Sequence, residues 1–213
     1  MTGPRAIQAR ALKIISVLKR EYPAAHSSLH FKNPFQLLIA TILSAQCTDE
    51  RVNRVTPGLF KQYPTPEALG AADSAAIEKA IHSTGFYRSK ARSIQNCART
   101  LAGQYRGAVP DRLEDLVKLP GVGRKTANVV LGNAFGKPSI AVETHVIRLA
   151  GRLGLTPEED PVKIEFALMK LYPEKDWIRL AHLLIDHGRA VCKARAPQCA
   201  ACKLRKLCDF CRA

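Results

Sequence analysis

Between Leu119 and His145 the chain reads LPGVGRKTANVVLGNAFGKPSIAVETH, and this stretch limits its fold more than any other. Two glycines bracket a valine in Pro120-Gly121-Val122-Gly123, and Thr126, Ala127, Val129 and Val130 follow at once in a helical pattern. Upstream, Asp111-Arg112-Leu113-Glu114 has the spacing of a capping box, which predicts a short helix with Leu113, Leu116 and Val117 inward. Helix, tight turn and helix therefore occupy about residues 111–134. Glycine is the default where a backbone turns sharply or comes close to a ligand. A turn that empties into a helix N-terminus aims unpaired N–H groups outward, a natural seat for phosphate.

The rest of the chain keeps the helical period. Ile7, Ala11, Ile14, Ile15 and Leu18 predict an amphipathic helix over about residues 6–21. Asn33-Pro34 supplies an N-cap and a first-turn proline for a helix Phe35–Gln46, apolar nearly all round as in the middle of a bundle. Asp49 is placed to cap a helix through Val52, Val55 and Leu59, and Thr65-Pro66-Glu67 repeats the cap-proline-acid signature. Ile77, Ala80 and Ile81 continue the pattern to Gly85, a residue suited to end a helix. Ala91, Ile94, Ala98 and Leu101 mark a helix to about Tyr105, and another runs over Val146–Leu153. Asp160-Pro161 opens one to Leu171, and Asp176 opens the last. No stretch shows sustained alternation, so the chain reads as all-α, without repeats or an obvious linker.

Thirty-three Lys and Arg against 18 Asp and Glu give a formal net charge of +15, which calls for a polyanionic partner. An anionic membrane is the alternative polyanion, but no apolar run is long enough to span a bilayer. Met1–Arg10 lacks the apolar core of a signal peptide, so a cytoplasmic protein with no membrane partner is expected, nucleoid-associated if bacterial. Of seven cysteines, five fall within Cys192–Cys211, which argues against an evenly spread disulfide framework and for a metal site. Cys192, Cys199, Cys202 and Cys208 give C-x6-C-x2-C-x5-C, and thiolates at short spacing wrap one zinc or one iron–sulfur cluster. Zinc more often pairs two C-x2-C knuckles across a longer insert. Cys211 makes a second C-x2-C with Cys208 and competes for the same role, while Cys47 and Cys97 read as buried free thiols. Seven basic residues over Arg189–Ala213, Lys203 and Arg205 among them, suit phosphate contacts without sequence readout.

The hairpin, Lys125 two residues after its second glycine, the carboxylate in Ala141-Val142-Glu143-Thr144-His145 and the cysteine spacing together resemble the endonuclease III branch of the helix-hairpin-helix DNA repair glycosylases. The resemblance covers nearly the whole chain. It implies two α-domains with a DNA-binding cleft between them: a helical bundle over 26–136, and a discontinuous iron–sulfur domain of 1–25 with 137–213. It implies a 4Fe–4S cluster on the four cysteines of loop 192–208, and a monomer acting on double-stranded DNA that carries an oxidised pyrimidine or an abasic site. Lys125 becomes the nucleophile, and Gly121, Gly123 and Arg124 belong to the DNA-binding hairpin. Gln46 and Phe86 match residues inserted into the duplex when a nucleotide is flipped out. Read without the family, Gln46 is an ordinary helix-end polar residue and Phe86 a core residue. Ser44, Asp49 and His145 are candidates for lining a base pocket.

A glycosylase that also cuts the strand needs an amine to attack the sugar C1′ and form a Schiff base, and lysine does so only while neutral. The positive end of the helix dipole and partial desolvation are expected to disfavour the Lys125 ammonium. The family carries aspartate where this chain has Glu143. A carboxylate there stabilises positive charge on the sugar and assists proton transfer. Glutamate extends the charge by one methylene and is expected to cap the following helix less well. Two rivals follow. One is an adenine-mismatch glycosylase, which needs no lysine at 125; the other is a non-catalytic or weakly active DNA-damage-binding homologue in which Glu143 marks lost activity.

Overall fold

The computed structural model describes residues 3–212. In chain order it has helices α1 (Pro4–Glu21), α2 (Pro34–Leu43), α3 (Asp49–Gln62), α4 (Pro66–Ala71), α5 (Ser74–Ile81) and α6 (Tyr87–Gln104). There follow α7 (Leu113–Leu116), α8 (Arg124–Phe135), α9 (Thr144–Arg152), α10 (Pro161–Leu171) and α11 (Trp177–Ala190). Short 3₁₀ turns lie at 82–84, 174–176, 199–201 and 205–207, and no strand occurs among the described residues. The fold is all-α.

The chain divides into two compact units, Ser27–Lys137 and Met1–His26 with Pro138–Ala213. In the first, α2 is the central helix, with Leu37, Leu38, Ile39 and Leu43 fully buried, and it packs against α8, α6 and α3. Asn33 accepts the Gln36 N–H at 2.9 Å and so starts α2 as its sequence predicts. Thr65 does the same for α4, accepting from Ala68 at 3.2 Å. In the second unit Ala11, Ile14, Leu18, Leu149, Ile164 and Leu184 are fully buried, with α11 packed on α9 and α1.

Several local expectations are corrected. Helix α2 ends at Leu43 rather than Gln46, because Gln46 sits at φ +51°, where a right-handed helix cannot continue. Thr48, not Asp49, caps α3: its Oγ1 accepts from Arg51 at 3.2 Å. The capping box at 111 does not form. Arg112 is the N-cap of α7 without a side-chain bond, and the Asp111 carboxylate and carbonyl are taken by Lys137 Nζ at 2.7 and 2.6 Å. Val117 points outward at 41 % exposure. Asp176 precedes α11 but leaves its amides uncapped, since its carboxylate binds Lys19 at 2.6 Å.

Candidate functional site

The turn between α7 and α8 closes with the Val122 N–H donating to Leu119 O at 3.1 Å, and Val122 itself is buried. Gly121 has φ +78°, and a Cβ there would meet Ser93 Cβ at 2.9 Å. This glycine is required by the fold. Gly123 differs: as N-cap of α8 it has φ −93°, and a Cβ would find nothing within 4 Å. No side chain caps α8 and no acid lies in its first turn, so its leading amides face outward with the positive end of the helix. Arg124 and Lys125 are its first two residues, Arg124 half-buried and Lys125 exposed. The expected desolvation of Lys125 is therefore not supplied in the free protein.

Glu143 stands at the start of α9. Its Oε1 accepts the His145 N–H at 2.7 Å and the Val146 N–H at 3.2 Å, so the extra methylene lets the side chain fold back as a cap. Glutamate thus does cap α9, through two backbone bonds. His145 Nδ1 lies 3.0 Å from both carboxylate oxygens, and the His145 ring rests on α11, where a Cβ on Gly188 would meet its Cδ2 at 2.9 Å. Burial raises the Glu143 carboxyl, but the bond and charge of the His145 ring and the His145 and Val146 amides outweigh it and hold it below its ordinary value. The result is an ionised carboxylate in one fixed orientation.

Gln46 and Phe86 are both exposed, and both are non-glycine residues in the left-handed region, at φ +51° and +48°. Phe86 is 68 % exposed at the N-cap of α6, so it is no core residue. Ser44 is half-buried and spends its hydroxyl proton on Thr41 O at 2.8 Å; Asp49 is half-buried in the first turn of α3. Cys97 is buried, which pushes its thiol up to about 12, while Cys47 is only half-buried.

The remaining five cysteines line one small pocket together with His187. Cys211 Sγ lies 2.7 Å from Cys199 Sγ. Among the described residues no three metal-binding side chains close on a point as a single ion requires. The loop is held from outside: Arg152 donates to Lys193 O at 2.8 Å and Ala194 O at 2.9 Å, and Arg148 Nε to Cys192 O at 3.2 Å. His187 Nε2 is 3.5 Å from Cys202 Sγ, with Tyr22 OH 3.0 Å from its Nδ1. Lys203 and Arg205 are exposed beside the buried Leu204.

The sequence pattern of the HhH-GPD superfamily base excision DNA repair proteins matches residues 39–174. The chain is 54% identical over 205 residues to endonuclease III of Synechocystis sp., covering 96% of this chain and 94% of that one. The chain belongs to the endonuclease III family. Among solved structures, this family member is similar to a non-covalent endonuclease III–DNA complex with a TM-score of 0.93 and 44% identity, over 100% of this chain and 98% of the other. A trapped endonuclease III–DNA covalent intermediate matches with the same TM-score, identity and coverage. Among the described residues of this endonuclease III relative, no helix is long and apolar enough to cross a membrane.

Sequence reasoning missed the supports of the cysteine loop. Arg148 and Arg152 sit four residues apart on α9, a polar stripe beside the apolar Val146, Leu149 and Ala150, and that spacing was a usable signal. His187 and Tyr22 lie 165 residues apart, and nothing local links them.

Proposed function

We propose that this chain is a base-excision DNA N-glycosylase for oxidised pyrimidines in double-stranded DNA, and an abasic-site lyase acting through Lys125. The observation that carries the reading is an exposed lysine in the first turn of an uncapped helix, within a family whose solved structures include a trapped covalent complex with DNA. The Lys125 amine attacks C1′, and the glycosidic electron pair leaves with the base; the amine then gives up one proton and the C1′–O4′ bond opens, O4′ taking up a proton, which leaves an iminium on the opened sugar. The resulting iminium acidifies the C2′ proton; its loss drives out the 3′ phosphate by β-elimination. DNA itself supplies the desolvation that the free protein does not. Glu143, ionised and fixed by its own helix, stabilises positive charge on the sugar and assists the proton transfers. The reading as a non-catalytic homologue finds no support, because Glu143 keeps both its charge and a defined position.

Gln46 and Phe86 enter the duplex as the damaged nucleotide leaves the stack, their exposure favouring that role. The open approach at Gly123 admits a phosphate to the amides of α8, with Gly121 holding the turn and Arg124 adding charge. Ser44, Asp49 and His145 are each assigned to contact with the flipped base. Cys192, Cys199, Cys202 and Cys208 hold a 4Fe–4S cluster. The donor set fits, since soft thiolates gathered around one pocket are the ligands an iron–sulfur centre takes. Those four cysteines would tie the loop that carries Lys203 and Arg205 to such a centre, while the chemistry at the sugar is carried by the side chains named above.

Borohydride trapping on an abasic duplex tests the reading. The parent protein becomes covalently attached to DNA and Lys125→Ala does not; a variant that still traps would remove Lys125 from its role. Iron analysis of the anaerobically purified protein tests the cluster, with about four irons expected per chain and stoichiometric zinc excluding it.

A further inference from the structure

Lys90 is the only buried lysine or arginine among the described residues, 5 % exposed on the first turn of α6. An ammonium out of water is unfavourable unless it is hydrogen-bonded, and burial draws Lys90 below its ordinary value, with Cys47 opposing. What it gains is one backbone oxygen: Nζ donates to Thr84 O at 2.7 Å. That carbonyl belongs to the last residue before Gly85 and Phe86, which sit at φ +69° and +48°. The same short segment is tied at three further points. Thr84 Oγ1 donates to Ile81 O at 2.8 Å, the Gly85 N–H to His82 O at 3.4 Å, and the Lys90 N–H to Phe86 O at 3.0 Å. A left-handed phenylalanine is a strained conformation that persists only when its surroundings over-determine it. The Lys90 side chain thus spans the Gly85-Phe86 corner to the carbonyl at its entry, and Phe86 at that corner is exposed. Cys47, which opposes the lowering of Lys90, directly follows Gln46, another exposed left-handed residue of this unit.

We infer that Lys90 is a positioning residue for base flipping: its bond to the Thr84 carbonyl holds the Gly85-Phe86 corner in the shape that presents the phenyl ring to the duplex. It touches neither sugar nor base. The inference rests on the reading of Phe86 as the intercalating side chain. Its consequence is a split between substrates. A damaged base must be unstacked before it can be excised, whereas an abasic nucleotide has no base to unstack, so a loosened wedge slows the first far more than the second.

The test compares parent, Lys90→Met, Phe86→Ala and the double variant in single turnover on a thymine glycol duplex and on an abasic duplex. Stopped-flow fluorescence of 2-aminopurine beside the lesion follows the unstacking. Lys90→Met is expected to slow excision about tenfold to a hundredfold, as misplacement near a reacting centre does. It is expected to leave abasic strand cleavage within about threefold of the parent and to delay the 2-aminopurine rise. The double variant should be no slower than Phe86→Ala. A purely structural lysine would lower both rates together along with the melting temperature, and that result overturns the inference. If Phe86→Ala shows no split, the wedge reading itself fails; if Phe86→Ala splits the substrates and Lys90→Met does not, only the role of Lys90 fails. Should the methionine variant not fold, Lys90→Gln keeps one donor at shorter reach and must show the same split to a smaller degree, and equal rates on both substrates relative to the parent then overturn the proposal.

Discussion

Two helices begin with opposite solutions to one problem. Each leaves its leading amides without helical partners, and each gathers positive potential at that end. Helix α9 satisfies its amides internally, through the Glu143 carboxylate that belongs to the chain. Helix α8 leaves them without a side-chain cap behind a bare glycine and places Arg124 and Lys125 in its first turn, where cations are least welcome. The capped start fixes a negative group in place. The start without a side-chain cap is the one where the proposed phosphate contact falls. Helix α8 departs from good helix design where an anion is proposed to bind, and α9 follows it at the carboxylate proposed to act on the sugar.

The sharpest way to break this contrast is to remove the fixed carboxylate. Glu143→Ala should lower single-turnover excision by about 10²- to 10⁴-fold, the range of general acid–base and electrostatic contributions. It should also cost about 1 kcal/mol of stability through the lost cap. Retained activity would show that the carboxylate only caps. Glu143→Gln separates the two roles, since its amide oxygen still accepts the helix N–H groups while the charge is gone. The stability gap between parent and Glu143→Gln carries a pH signature. Glu143 titrates below its ordinary value when folded, so its contribution is present above the ordinary carboxylate range and is lost as pH falls through the lowered value. A gap that widened in acid would contradict the assigned shift.

The two glycines of the turn sharpen the contrast next. Gly121→Ala forces a left-handed alanine against Ser93 and should destabilise the protein by about 1–3 kcal/mol. Gly123→Ala meets no atoms and should leave stability within about 0.5 kcal/mol. It should nevertheless weaken DNA binding about tenfold by shielding the amides of α8. Unchanged binding would mean that no phosphate docks there.

The smallest effect concerns the cysteine loop. Neutralising Lys203 and Arg205 together should reduce the slope of log K against log salt by about 2, at roughly 0.9 per phosphate contact. An unaltered slope would leave the uncapped start of α8, without the loop, as the electrostatic anchor.

What could be read from the sequence was local. Asn33, Thr65 and Asp160 cap the helices they precede because a short side chain needs only the next three residues to find its partner. The inward faces of α1 and α6 follow from spacing alone. What failed was decided by distant partners or by backbone conformation, neither of which residue spacing shows. Asp111 has capping-box spacing, yet Lys137, 26 residues later, takes its carboxylate. Phe86 looks like core by composition, and only the backbone at Gly85-Phe86 turns it outward. Lys90 reads as one more surface cation in a chain of 33 Lys and Arg until its burial is known. Average capping preference says little about Glu143, whose longer side chain folds back on its own helix.

The open space over Gly123 also bears on descent. At Gly121 the fold polices the residue by itself, since any side chain collides with α6 whatever the protein is used for. At Gly123 the fold is indifferent: the backbone is extended and a methyl has room. Drift there would go unpunished by folding and would be removed only in lineages that still bind DNA at this turn. The two positions thus form a paired record, one of inheritance of the architecture and the other of continued use.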